Sequence, residues 1–344
     1  MSLRYLSGCA LFSRLANRRG IRMMHMSTVV GDSGRSYVTG EVLQRRREDN
    51  TPTILKADSE HESFIVKRVR RPFYNLSLRL AAEFASSRWL RMHTDCNTEE
   101  GVLIYPYYRN TLLALIQDDP DLPITERNKI LRGTGEAIQE LHNKGWIHCD
   151  LKPDNILVNW TCDDQGTKTV TDVVLGDFDI AYELQGGLSR QTPYAIGNVM
   201  WRSPEGQTGI TSKASDVFSF GLVCIYVLGG GELLLINNNN YQELKKTGHT
   251  AEQEIITRHF CYFGPVPKEL FEQVSNDLWR RALEGASAMA EDMVREQPEM
   301  RFMRWSAELG PEAQEVISGM TNLNPTSRIP IEEVVKHRWL QGPT

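Results

Sequence analysis

The stretch His148-Cys149-Asp150-Leu151-Lys152-Pro153-Asp154-Asn155-Ile156-Leu157-Val158 constrains this chain more than any other. A carboxylate, an ammonium and an amide stand close together and run directly into an apolar segment. Such a run reads as a polar turn at the mouth of a buried strand, since the apolar residues seek a core while the charges need water or a ligand. Further on, Leu175-Gly176-Asp177-Phe178-Asp179 presents a second acid at the end of another apolar strand.

The surrounding pattern changes character along the chain. Ser36 to Gln44, Thr53 to Ala57, Ser63 to Val69 and Gly101 to Tyr107 predict strands, and Arg45 to Thr51 a polar turn. Leu76, Leu80, Phe84 and Leu90 predict a helix over 76–92. From Thr111 onward helices dominate, at 111–117, 126–144, 215–228, 268–271, 277–296, 312–320 and 331–337, around short strands at 156–159 and 173–176. The tract Asn237 to Asn240 reads as a surface loop, and Leu278, Ala282, Met289 and Met293 as a core-packing face. A strand-rich front and a helix-rich back predict an α+β fold of two lobes meeting near Tyr105 to Arg109. The expected divisions are a basic extension at 1–35, a small lobe at 36–108 and a large lobe at 109–341.

The two acid-bearing segments resemble the catalytic loop and metal-binding turn of eukaryotic protein kinases. A chance polar turn would not reproduce the whole first segment together with the second acid. The resemblance implies a two-lobed kinase fold that transfers the γ-phosphate of ATP, with Mg2+, to a hydroxyl of a protein substrate. By the same resemblance Asp150 orients that hydroxyl and Lys152 steadies the moving phosphate. Asn155 and Asp177 hold the metal, and Leu157 floors the adenine. The Lys152-Pro153 pair resembles serine/threonine-directed members more than tyrosine-directed ones.

Ser63-Phe64-Ile65-Val66-Lys67-Arg68-Val69 looks like the strand that carries the phosphate-anchoring lysine, here Lys67. Its expected partner is Glu83, the sole acid between Glu62 and Asp95. Counting back from Leu112 makes Tyr105 the gatekeeper and Pro106 to Tyr108 the linker. Pro106 then offers a carbonyl to adenine, and Tyr108 both N–H and C=O. Ser203-Pro204-Glu205, Asp216 and Arg328 resemble architectural positions of the large lobe. They imply a buried Glu205–Arg328 pair, with Asp216 bracing the catalytic loop.

The resemblance has gaps. No glycine lies between Gln44 and Thr51, where the family has a glycine-rich phosphate-covering loop. Asp179 replaces a glycine, and Asn198 stands where a threonine usually contacts the catalytic acid. Cys149 replaces the arginine that pairs with a phosphorylated activation segment, so activity independent of phosphorylation at Thr192 or Tyr194 is expected. These departures keep a second reading open, a pseudokinase that acts as an interaction module. A metabolite phosphotransferase fits less well, because Ser203-Pro204-Glu205, Asp216 and Arg328 build a peptide platform.

A net charge of −5 exerts no global pull toward nucleic acid. The apolar run Phe218 to Ile236 is interrupted by Ser219, Glu232 and Gly229 to Gly231, and reads as a buried helix rather than a membrane span. Six scattered cysteines without a C-x-x-C pair fit a reducing, intracellular and most simply cytoplasmic setting. The first thirty residues are Arg-rich and acid-free, as in a mitochondrial transit peptide or a basic tail. Oligomeric state leaves no mark on the sequence.

Overall fold

The computed structural model describes residues 27–46, 48–305 and 309–341. The Arg-rich start and Arg47 lie outside the described residues.

The small lobe is built on a six-stranded sheet: β1 (Thr28–Val30), β2 (Ser36–Arg45), β3 (Pro52–Ser59), β4 (Glu62–Arg68), β5 (Asp95–Asn97) and β6 (Val102–Pro106). Their spatial order is β1-β2-β3-β4-β6-β5. Alternation sets the faces, since Tyr37 and Thr39 of β2 are buried while Ser36 and Val38 are exposed. Tyr37 meets Phe64 of β4 edge-on in the small-lobe core, with ring centroids 5.1 Å apart. Thr28 pairs with Val38. Among the described residues the small lobe therefore extends back before the expected Ser36, to Ser27 and Thr28.

One helix, α1 (Arg71–Glu83), follows β4 and buries Tyr74, Ser77 and Leu80. It starts earlier than expected because Pro72 suits the first turn. It also ends earlier, well before Met92. Beyond it the Ser87 hydroxyl accepts the N–H groups of Trp89 and Leu90, at 3.2 and 3.0 Å, which turns the chain out of helix. Leu90 then bridges to Leu175 in extended form.

The large lobe opens with β7 (Asn110–Thr111), α2 (Leu112–Asp118), α3 (Ile124–Asn143) and β8 (Trp146–Ile147). Next come β9 (Ile156–Cys162) and β10 (Lys168–Leu175), which with β7 form a small sheet facing the cleft. A short helix α4 (Pro204–Gln207) leads to α5 (Lys213–Ile225), in which every side chain from Ser215 to Ile225 is buried. Lys213–Gly230 is apolar and long enough to cross a bilayer by composition, and 72% of it is packed inside this lobe.

Two expectations for the later helices need correction. The asparagine tract opens a helix, Asn238–Thr247, because Asn237 and Asn240 cap each other's backbone N–H groups at 2.9 and 3.2 Å. The helix Asp277–Glu296 buries Leu283, Ala286 and Ala290. Small alanines allow close packing on helix Ala251–Phe263, so Leu278, Met289 and Met293 face outward.

Candidate active site

The polar turn between β8 and β9 is held from below by α5. Asp216 accepts the backbone N–H groups of His148 and Cys149 at 2.8 and 3.0 Å, and His142 Nε2 lies 3.1 Å from the same carboxylate. These bonds hold Cys149 at φ 66°, a left-handed conformation that side chains rarely adopt. His148 Nδ1 accepts the N–H of Asp150 at 3.2 Å, so its Nε2 carries the proton that faces the Gly176 carbonyl at 3.0 Å. One imidazole thereby joins the two acid-bearing segments.

Asp150 sits at the centre of this turn. Its Oδ2 accepts from Lys152 Nζ at 2.7 Å, and its Oδ1 accepts the backbone N–H of Asn198 at 2.6 Å. The usual threonine contact is replaced here by main chain. That approach needs a glycine, since a Cβ on Gly197 would stand 2.3 Å from the Cys149 carbonyl oxygen. Asn155 Nδ2 donates to the Asp150 carbonyl at 2.8 Å, and its Oδ1 accepts nothing among the described residues.

Across the cleft, Lys67 Nζ touches Asp177 at 2.7 Å and Asp179 at 2.8 Å. Burial works against its charge, but the two carboxylates outweigh burial and raise its pKa. Burial also opposes the charge on Asp177, and Lys67 more than offsets it, so that carboxyl falls below its ordinary range. For Asp179 burial wins and its pKa is raised.

Glu83 does not meet Lys67, contrary to expectation. Its carboxylate accepts the Trp146 indole N–H at 3.0 Å, and its backbone carbonyl accepts from Lys144. The reason is the early end of α1: Glu83 is the last helical residue and faces the large lobe, while Tyr74, Ser77 and Leu80 carry the buried face. Asp179 is a carboxylate that pairing by elimination passed over. The signal available was an acid at a position where glycine was expected.

Between the lobes lies a cavity of about 440 Å³ whose walls include Lys67, Tyr108, Asn155, Leu157 and Asp177. The linker departs from expectation at Pro106. Its carbonyl, expected to face adenine, accepts from Arg91 Nε at 3.1 Å and Nη2 at 2.5 Å. Tyr108 donates its hydroxyl to Asp172 at 2.7 Å. The glycine-free hairpin turns its arginines on itself: Arg45 reaches the Asn50 carbonyl at 3.0 Å and Arg46 pairs with Asp49 at 3.1 Å. Leu43 and Gln44 roof the cavity instead.

Deep in the large lobe, Arg328 forks onto Glu205 at 2.6 and 2.7 Å, both side chains fully enclosed. Burial alone would raise the Glu205 pKa, yet Arg328 holds it lowered. Cys149 is buried, and burial pushes its thiol up to about 12.

A magnesium ion fits these donors. It favours one or two hard oxygens alongside phosphate and water. Asp177 supplies an ionised carboxylate with its side chain 47% exposed to the cavity, and Asn155 an uncommitted amide oxygen.

This arrangement is that of a phosphotransferase cleft, and comparison with known sequences agrees. The chain belongs to the protein kinase domain family, which matches it over residues 86–340. Among curated proteins it is 32% identical over 153 residues to lectin-domain containing receptor kinase VI.3 of Arabidopsis thaliana, covering 41% of this chain and 20% of that protein. It is 30% identical over 153 residues to L-type lectin-domain containing receptor kinase SIT1 of Oryza sativa subsp. japonica, covering 42% and 21%. A third relative, receptor kinase V.9 of Arabidopsis thaliana, is 31% identical over 166 residues, covering 47% and 22%. The chain thus spans about a fifth of the length of these relatives. Lys67 and Glu83 both precede the family match.

Proposed function

We propose that this chain is a protein serine/threonine kinase that uses a magnesium-bound nucleoside triphosphate, expected from the family to be ATP. One observation carries the reading: Lys67 and Asp177 are in contact at the cavity wall, and Asp150 and Lys152 adjoin the same cavity through Asn155. Phosphoryl transfer needs such charges around the phosphates and the nucleophile, and Lys67 and Asp177 line the cavity while Asp150 and Lys152 adjoin it.

In this reading a substrate hydroxyl replaces part of the Asp150 hydrogen-bonding shell and passes its proton to that carboxylate. Lys152, already beside Asp150, neutralises the γ-phosphate as the substrate oxygen bonds to phosphorus, the bond to the β-phosphate oxygen breaks and charge moves onto that leaving oxygen. Asp177 and Asn155 would hold a magnesium ion, which when bound would supply charge neutralisation on the phosphate oxygens. Lys67 steadies the nucleotide's α- and β-phosphates, and Asp179 is a second carboxylate that holds it in place. Buried Glu205–Arg328 and the α5 brace support the surface on which a serine- or threonine-bearing peptide lies.

The test is phosphate transfer to a mixed peptide library, with the residue type of the product identified by mass spectrometry. Label on serine and threonine that vanishes in Asp150→Asn supports the proposal. Equal label in both proteins removes it, and label confined to tyrosine overturns the assigned specificity.

A further inference from the structure

We propose that Arg202 is a positioning residue for phosphate transfer: acting through the peptide group between Gly197 and Asn198, it aims the carboxylate of Asp150 at the incoming hydroxyl. The inference rests on the kinase reading proposed above and adds to that site a residue that acts at one remove from the reacting atoms.

One peptide group faces two opposite charges. Its N–H, from Asn198, donates to Asp150 Oδ1 at 2.6 Å. Its carbonyl, from Gly197, accepts from Arg202 Nε at 2.9 Å. Resonance couples the two ends of a peptide, so a cation drawing on the oxygen makes the N–H a stronger donor. Hydrogen bonds chained in this way reinforce one another by about 10–30% each. Cation, peptide and carboxylate thus form one polarised chain. The charges also meet through space: burial lowers the Arg202 pKa, while the carboxylates of Glu252 and Asp150 oppose that shift.

The Asn198 side chain is committed elsewhere, since its Oδ1 accepts the Met200 N–H at 3.0 Å. From this side Asp150 is therefore held by main chain, and a main-chain donor is only as well placed as the turn that carries it. Arg202 fixes that turn. Its Nη1 donates to Gln207 Oε1 at 2.8 Å, and Gln207 Nε2 donates to the Val199 carbonyl at 3.0 Å. Gln207 is itself buried at the end of α4. Ser219 of α5 adds a bond to the Trp201 carbonyl at 2.6 Å. Lys152, on the other oxygen of Asp150, has a flexible stem and can turn toward a phosphate. The Asn198 N–H cannot swing away, so it is the bond that aims Asp150 during transfer.

A residue that merely braces the peptide-docking surface behaves differently. Its loss weakens peptide binding whatever side chain stands at position 150. A positioning role needs the carboxylate and disappears with it, which a double-mutant cycle detects. Misplacing a reacting group by about 1 Å can cost about a hundredfold in rate, which sets the upper end of the expected effect.

The experiment measures Mg·ATP binding and phosphate transfer to the best-labelled peptide of a mixed library, using the whole chain. Arg202→Met and Arg202→Gln are each made in the native and the Asp150→Asn backgrounds, and urea unfolding shows which variants fold. Arg202→Met should lower kcat by about ten- to a hundredfold, with peptide KM and Mg·ATP affinity unchanged. Arg202→Gln, neutral but able to fill the same polar space, should show the same pattern with a smaller loss. Neither should remove anything further from Asp150→Asn. A native kcat in the folded variants overturns the inference and leaves the kinase reading intact. An equal further loss in the Asp150→Asn background overturns it too, as does a rise in peptide KM that accounts for the whole effect. Failure of the native protein to transfer phosphate at all overturns the kinase reading and this inference with it.

Discussion

Glu205–Arg328 and Lys67–Asp179 are both carboxylate–cation contacts, yet the two differ in their surroundings. The first lies wholly inside the large lobe, fully enclosed, with Ser215 adding a hydrogen bond at 2.8 Å and no access to ligand. The second spans the cleft, and both its side chains keep some exposure. An enclosed pair cannot lose one member without stranding a charge, so its geometry holds wherever the fold holds. A pair at the mouth of a cavity can change partners, because water or ligand can replace what is lost. The large lobe keeps the expected ionic skeleton, and the small lobe has rewired its own.

This contrast can be broken or sharpened by measurement. Asp150→Asn should cost the most, about 10²–10⁴-fold in phosphate transfer, with triphosphate affinity unchanged. Steady-state rates alongside binding isotherms check it, and a matching loss of affinity would contradict the division. Glu205→Gln should lower unfolding free energy by about 3–5 kcal/mol in urea titration, since Arg328 is left buried without its counter-charge. The sign in pH follows from the lowered carboxyl. The contribution of Glu205 is complete above the ordinary glutamate range and is lost as pH falls through the folded value.

Asp179→Asn should lower kcat/KM about tenfold by loosening Lys67, a shift of about 1.4 kcal/mol. Glu83→Gln should leave catalysis untouched and cost only about 1 kcal/mol of stability through the Trp146 bond. Were Glu83→Gln the more damaging to turnover, the rewired lysine would be the wrong description. The last effect is one of pH and concerns His259, whose ring nitrogens are enclosed without partners among the described residues, beside Phe218 and Phe263. Burial lowers its pKa to about 3 from 6.5, so the unfolded chain takes up a proton that the folded chain refuses. Stability should fall as pH drops below about 6.5, by no more than about 1.4 kcal/mol per unit from this residue. Replacing it with phenylalanine should flatten that part of the slope.

The large lobe was legible in the sequence because its motifs are local. Asp150, Lys152 and Asn155 lie within one turn, and α5 announces itself by a long apolar run. The α+β division and the family followed from the same signals. Residues that depend on how a helix ends were harder to place. Glu83 was assigned by elimination along a helix expected to reach Met92, and the Ser87 hydroxyl, which turns the chain, is a weak signal among many serines. Arg91 left no trace at all. Its meaning comes from Pro106, fifteen positions away, through β-strand return, and no periodicity encodes that meeting. Asp179 lay between these cases: its charge could be read, but its partner was set by the fold.

Both carboxylates that grip Lys67 follow β10 on the large-lobe side of the cleft. A regulator that works by swinging α1 toward or away from the nucleotide would find no lever to pull. Under the proposed reading, whatever shifts the segment after Leu175 would move the partners of this lysine and the proposed metal ligand Asp177 together.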